Sequence, residues 1–251
     1  EKAARLAGGA NRSRIEYTIK LAAEAEGRGE FGKADEYLRS IQGEIVVTKD
    51  DVRIVEFLKK RYSLYEHQGL FDAAFDTLRT LLSVLEGLAI SPAVRFQGEQ
   101  ILVLLHVQRG QIKEAGKRVE RMKGLVAGGM LPAEFGGQIE RTQGDVAYLQ
   151  GDNQEAIQHY RRALSMPAAF EEPVKLSLLN NLGLALARDG QDEEALKLFE
   201  RMHTQAKDLK LLTYESQADL NSGLVLIKFD RIQEATGRFQ RARETAVRTK
   251  D

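Results

Sequence analysis

The feature that most constrains this chain is a period. An alanine preceded five residues earlier by a glycine occurs at Gly29/Ala34, Gly69/Ala74, Gly110/Ala115, Gly151/Ala156 and Gly190/Ala195, and a sixth copy carries Asp230/Ala235. The anchor alanines stand 40, 41, 41, 39 and 40 residues apart. A steady period of this length marks a stacked-repeat architecture, in which each unit buries its apolar face only against its neighbours.

Other positions keep the same register. Four residues after each anchor come Leu38, Leu78, Val119, Tyr160, Phe199 and Phe239. Twelve residues before it the last three copies carry Gly144, Gly183 and Gly223, the first has Ala22, and Tyr62 and Val103 depart from the rule. Each copy reads as two antiparallel helices joined by a short turn. The turn needs a left-handed residue, which Gly adopts at little cost and Asp tolerates next best. Gly inside a helix costs about 0.5–1 kcal/mol relative to Ala, so its recurrence predicts a close crossing of the upstream small residue with the anchor Ala. The residue four positions on then fills the groove against the neighbouring helix.

Composition agrees with helices. Ala, Leu, Glu, Gln, Lys and Arg dominate, there are only 4 Pro and no Trp, and IVVT at 45–48 is the single strand-like run. Ser91-Pro92 reads as an N-cap and first-turn proline, Pro132 and Pro173 hold similar places before the fourth and fifth copies, and Asp50-Asp51 caps the second. The expected architecture is all-α: about six helix-turn-helix repeats over 12–47, 50–90, 91–127, 132–168, 171–208 and 211–249, about twelve helices in one α-solenoid superhelix spanning 1–251. The glycine-rich stretch GLVAGGMLPAEFGGQ, residues 124–138, could be a domain boundary; the unbroken 41-residue step across it favours an inter-repeat loop.

GDVAYLQGDNQEAIQHYRRAL (144–164) and NNLGLALARDGQDEEALKLF (180–199) resemble the tetratricopeptide repeat, with its small residue, turn glycine, acidic pair, alanine and aromatic. The usual repeat is about 34 residues. The longer pitch is similar to that of kinesin light chains, MalT-like sensor domains and bacterial peptide-pheromone receptors. The resemblance implies that the first helix of each pair lines a concave face where extended peptides or partner helices lie.

Residues at inward positions of those first helices are therefore the candidate partner-binding set. Asn181 and Asn221 stand fourteen residues before their anchors, one repeat apart, and Asn180 and Arg141 stand one position earlier. An amide carries both donors and an acceptor, so a ladder of asparagines at repeat spacing can hold an extended backbone without reading its sequence. Asn is a poor helix former and needs a reason to be there. Arg141, Arg188 and Lys228 would meet acidic side chains or a terminal carboxylate. Tyr148, Leu184, Leu224 and Ile227 would line the floor, while Asp145 adds negative charge. The alternative is that the asparagines bond to a neighbouring helix. Lys59, Lys60 and Arg61 read as a solvated basic face.

The remaining observations are exclusions. Lys+Arg and Asp+Glu both number 37, so no global field draws the chain to nucleic acid or an anionic membrane. There is no cysteine, which removes disulfides and thiolate chemistry. His67, His106, His159 and His203 occupy different repeat positions, without metal spacing. No phosphate-binding loop motif is present, and the carboxylate pairs at Asp50-Asp51, Glu171-Glu172 and Asp192-Glu193-Glu194 sit at helix starts, where the helix dipole favours them. No apolar run approaches the ~20 residues of a membrane span. The expectation is a non-enzymatic scaffold or adaptor with no catalytic residues, cofactor or metal, cytoplasmic, binding a protein or peptide partner. The alternative is the ligand- or peptide-sensing region of a larger bacterial regulator. A start at Glu1 suits a piece of a longer protein, and a polar end, RETAVRTKD, leaves the last repeat without a further cap, so a homodimer through a solenoid end is a further expectation.

Overall fold

A computed structural model describes residues 2–47, 50–87, 91–166 and 170–248. Among them are twelve α-helices and no strand. They are α1 (Lys2–Gly27), α2 (Phe31–Val47), α3 (Asp51–His67), α4 (Phe71–Gly87), α5 (Pro92–Gln108), α6 (Ile112–Ala127), α7 (Phe135–Gln150), α8 (Asn153–Leu164), α9 (Glu172–Arg188), α10 (Asp192–Asp208), α11 (Leu212–Lys228) and α12 (Ile232–Arg248). IVV of the strand-like run is the end of α2; Thr48 lies outside the described residues. Helices α1 to α6 belong to a compact unit Glu1–Leu131 and α7 to α12 to another, Pro132–Asp251. The division falls inside the glycine-rich stretch.

Each unit is three hairpins packed side by side. In the first, α1/α2, α3/α4 and α5/α6 pair, and first helix meets first helix at α1/α3 and α3/α5. In the second, α7/α8, α9/α10 and α11/α12 pair, with α7/α9 and α9/α11 in contact. The six turn positions all take positive φ: Gly29, Gly69, Gly110, Gly151 and Gly190 at 66–84°, and Asp230 at 58°. At Gly190 this reversal lets Gln191 N–H reach back to the Leu186 carbonyl at 2.9 Å, closing the end of α9. Asp230 does the same for α11, where Arg231 N–H reaches the Leu226 carbonyl at 3.0 Å. Ser91 Oγ accepts from Val94 N–H with Pro92 in the first turn of α5, and Asp50 accepts from Arg53 N–H at the start of α3.

The in-helix glycines serve a different contact from the one expected. A Cβ on Gly144 would lie 2.6 Å from the Tyr160 ring, and one on Gly183 or Gly223 would lie 2.5 Å from the ring of Phe199 or Phe239. Each glycine thus faces the aromatic four residues after the anchor, not the anchor alanine. The register shows the trade: copies with Gly have a ring opposite, whereas Ala22, Tyr62 and Val103 accompany Leu38, Leu78 and Val119.

One surface expectation is corrected in the first unit. Of the 59–61 run only Lys59 is exposed; Lys60 and Arg61 are not part of a solvated face. Arg61 is buried, ion-paired to Asp35 and bonded to the Tyr65 hydroxyl, because its position faces α2. Lys60 reaches Glu26 at 2.8 Å, and Ser63 and His67 bond to the same carboxylate. Burial raises the Glu26 pKa, but Lys60, Ser63 and His67 outweigh it and hold the group below the ordinary Glu value.

Candidate partner-binding face

The three first helices α7, α9 and α11 carry all ten candidate residues in the second unit, and Asp145, Tyr148, Asn180, Asn181, Arg188, Asn221 and Lys228 among them contact the helix one repeat away. Asn221 donates from Nδ2 to Asn180 Oδ1 at 2.7 Å, and both side chains are buried. Asn181 donates from Nδ2 to Asp145 Oδ1 at 3.2 Å. Tyr160, on α8, donates its hydroxyl to the same oxygen at 2.8 Å, and Arg141 Nε stands 4.0 Å from the other. Asn181 and Asn221 thus each donate one amide N–H to a side chain on the neighbouring first helix.

Nearer the turn, cations sit one repeat on from their partners. The Arg188 guanidinium stacks on the Tyr148 ring, 4.0 Å from its centroid. Lys228 Nζ donates to the Ala187 carbonyl at 2.6 Å and to Asp192 at 2.7 Å. In the first unit His67 and Glu26 occupy the matching positions. In the second, fifth and sixth copies the residue seven before the anchor therefore ties to the residue eight before the previous anchor and so fixes hairpin to hairpin.

The electrostatics follow from shelter. Burial pushes the Asp145 carboxyl above the ordinary Asp value against the pull of Arg141, Tyr160 and Asn181. Burial likewise raises the Tyr160 hydroxyl, with the Asp145 charge adding to it, and burial raises Tyr148 against Arg188.

Leu184 packs half-buried against the core, but Leu224 is 52% exposed. Leu220 and Ile227 are exposed beside it at i−4 and i+3, so α11 presents an apolar stripe with Lys228 at its end. Leu220 was not among the expected residues, although it falls one position before Asn221, in register with Asn180.

Sequence reasoning also missed a recurring ion-pair group. Acids sixteen residues before the anchor meet bases three and six after it: Glu99 with Arg118 and Arg121, Glu140 with His159 and Arg162, and Asp219 with Arg238 and Arg241. The signal was present in the register, in charged rather than small residues. Among the described residues no helix is long and apolar enough to cross a membrane, and no three His, Cys, Asp or Glu gather as a metal would require.

Residues 178–212, from α9 into the start of α11, match the tetratricopeptide repeat family model. That segment carries a tetratricopeptide repeat, and the hairpins on both sides of it repeat the same fold. The chain is similar in fold to the nearly identical TPR-like repeats of a candidate kinesin light chain from Podosopora anserina, at 21% identity and a TM-score of 0.55, covering 76% of this chain and 96% of that one. It is also similar to BtubC (BKLC) from P. vanneervenii, at 18% identity and a TM-score of 0.59, covering 94% and 92%. A third likeness is to a Signal Transduction ATPase with Numerous Domains from Pyrococcus horikoshii that has a tetratricopeptide repeat sensor, at 15% identity and a TM-score of 0.54; it covers 87% of this chain but 34% of that one. No curated protein sequence matches the chain. The tetratricopeptide-repeat fold is a protein-interaction scaffold and in general is non-enzymatic.

Proposed function

We propose that this repeat protein is a non-enzymatic adaptor that receives a segment of a protein partner along the first-helix face of α7, α9 and α11. The observation that carries this reading is the stripe of Leu220, Leu224 and Ile227, each about half exposed on a face whose polar groups are mostly engaged with one another. Apolar side chains on an exposed helix face at i, i+4 and i+7 are the contacts by which a helix or extended segment is held. In this reading Leu184 and Tyr148 continue the floor, Arg188 and Lys228 supply positive charge at its edge, and Asn180, Asn181 and Asn221 set the spacing of the helices and offer their remaining amide atoms. The six copies are read as one repeat array, on the unbroken step from Ala115 to Ala156.

A photo-crosslinking amino acid placed at Leu224 tests the face directly, with Lys197 on the exposed side of α10 as the control position. The expected result is a partner captured at Leu224 and not at Lys197. Equal capture at both positions, or capture at Lys197 alone, would overturn the reading.

A further inference from the structure

The first unit holds a second candidate site, away from its first-helix face. Helices α4 and α6 both pack on α5, and between them lies a cavity of about 180 Å³. Four arginines line it: Arg79 from α4, Arg95 from α5, and Arg118 and Arg121 from α6. Glu99 is the one carboxylate among the lining residues. It is buried and is bonded by Arg118 at 3.0 and 3.2 Å and by Arg121 at 3.4 Å. Among the described residues Arg79 has only Asp76, 4.0 Å away, and the Phe75 ring. Arg95 makes no ion pair among the described residues, and its Nε is shut off from solvent without a hydrogen-bond partner. A sheltered guanidinium N–H left unbonded is costly, and three positive charges in excess of the lining carboxylate repel one another.

The sixth copy provides the internal comparison. There Asp219 replaces Glu99, and Arg238 and Arg241 replace Arg118 and Arg121. The register position of Arg79 is taken by Glu200, which bonds Arg238 at 3.0 Å, and that of Arg95 by Glu215. Three carboxylates there stand against two arginines, so no excess of positive charge is left. In the third copy both outer positions are reversed in sign, and the positive charge is left to something else.

We propose that this cavity binds the phosphate group of a small molecule. Guanidinium forks meet phosphate oxygens with two parallel N–H bonds, and Glu99 holds Arg118 and Arg121 oriented for it. Arg95 Nε supplies a further donor, and Ser83 at the rim adds a hydroxyl. A cavity of about 150 Å³ accommodates benzene, so the space takes a phosphate with a small substituent and not a bulky one.

Calorimetric titration of the whole protein with inorganic phosphate, phenyl phosphate and succinate at low ionic strength tests this. Either phosphate should bind while succinate does not. Phenyl phosphate stronger than inorganic phosphate assigns an ester, and the reverse assigns the free ion. Arg95→Gln should weaken binding on the order of tenfold, the scale of one charge-assisted hydrogen bond. Arg79→Glu gives one of the two outer positions the sign it has in the sixth copy; it should abolish binding and raise the melting temperature of the ligand-free protein. Absence of phosphate binding, or full affinity in both variants with helicity unchanged, would overturn the proposal. So would an Arg79→Glu variant that binds phosphate as well as the parent does.

Discussion

Gly183→Ala should change sign according to what stands at position 199. The added Cβ would lie 2.5, 2.7 and 3.1 Å from three carbons of the Phe199 ring. The ring must retreat about 1 Å to regain a carbon–carbon separation near 3.5 Å. Phe199 is wholly buried, in a core packed as densely as a crystal, so the retreat displaces its neighbours. Overpacking of this kind costs about 1–3 kcal/mol, against about 1 kcal/mol gained by replacing Gly with Ala inside a helix. The net expectation is a loss of about 1 kcal/mol. Phe199→Leu alone also destabilises, because it leaves space where the ring was. In that background the Cβ finds room, as Ala22 does with Leu38, and Gly183→Ala should stabilise by close to its full helix gain. The coupling is then about 2 kcal/mol, well above the error of a double-mutant cycle. Urea denaturation of the four proteins by circular dichroism measures it, with hydrogen exchange of α9 and α10 locating the change. If Gly183→Ala has the same sign and size in both backgrounds, the glycine is not there for the ring and the packing argument fails.

Two other outcomes are expected. Asn221→Ala leaves Asn180 Oδ1 buried without its donor and should cost about 1–3 kcal/mol, seen as a lowered urea midpoint; unchanged stability would show that the pair contributes nothing to stability. Asp145 has a folded pKa above its unfolded value, so its contribution is fully present below the unfolded value and is lost as pH rises through the folded one. Asp145→Asn keeps the Oδ1 acceptor and removes the charge, so its melting temperature relative to the parent should rise between pH 3 and pH 7; an equal loss at both values would refute this.

The fold was legible because its determinants repeat. One glycine five residues before an alanine is weak, but six turn positions in register fix six hairpins, and Ser91, Pro92 and Asp50 mark helix starts by local chemistry alone. The candidate face was legible only in part. Periodicity places Asn181 and Asn221 on the first-helix face, but whether an amide donates to solvent or to a side chain 36 or 41 residues away depends on how far one hairpin is rotated against the next. Gly183 against Phe199 and Gly223 against Phe239 set the crossing inside each hairpin, not the rotation between hairpins, and a list of small residues does not pair up even those contacts. The same limit hid Tyr160, read as a packing ring, whose hydroxyl reaches Asp145.

What the repeat offers beyond its fold is a set of internal controls. A position with the same conformation in every copy, such as the turn residue with its positive φ, is explained by the architecture the copies share. The side chain seven residues before the anchor at His67, Arg188 and Lys228 is explained the same way, since each ties its hairpin to the one before. Function is better sought where one copy departs from another that has the same surroundings. Glu99 with Arg118 and Arg121 is the arrangement of Asp219 with Arg238 and Arg241, so the shared triad points to no ligand. Arg79 and Arg95 stand where Glu200 and Glu215 stand in the sixth copy, and nothing in the hairpin geometry requires that reversal. An excess of positive charge around one cavity raises the energy of the empty fold, and an anion that relieves it binds with that strain as part of its affinity.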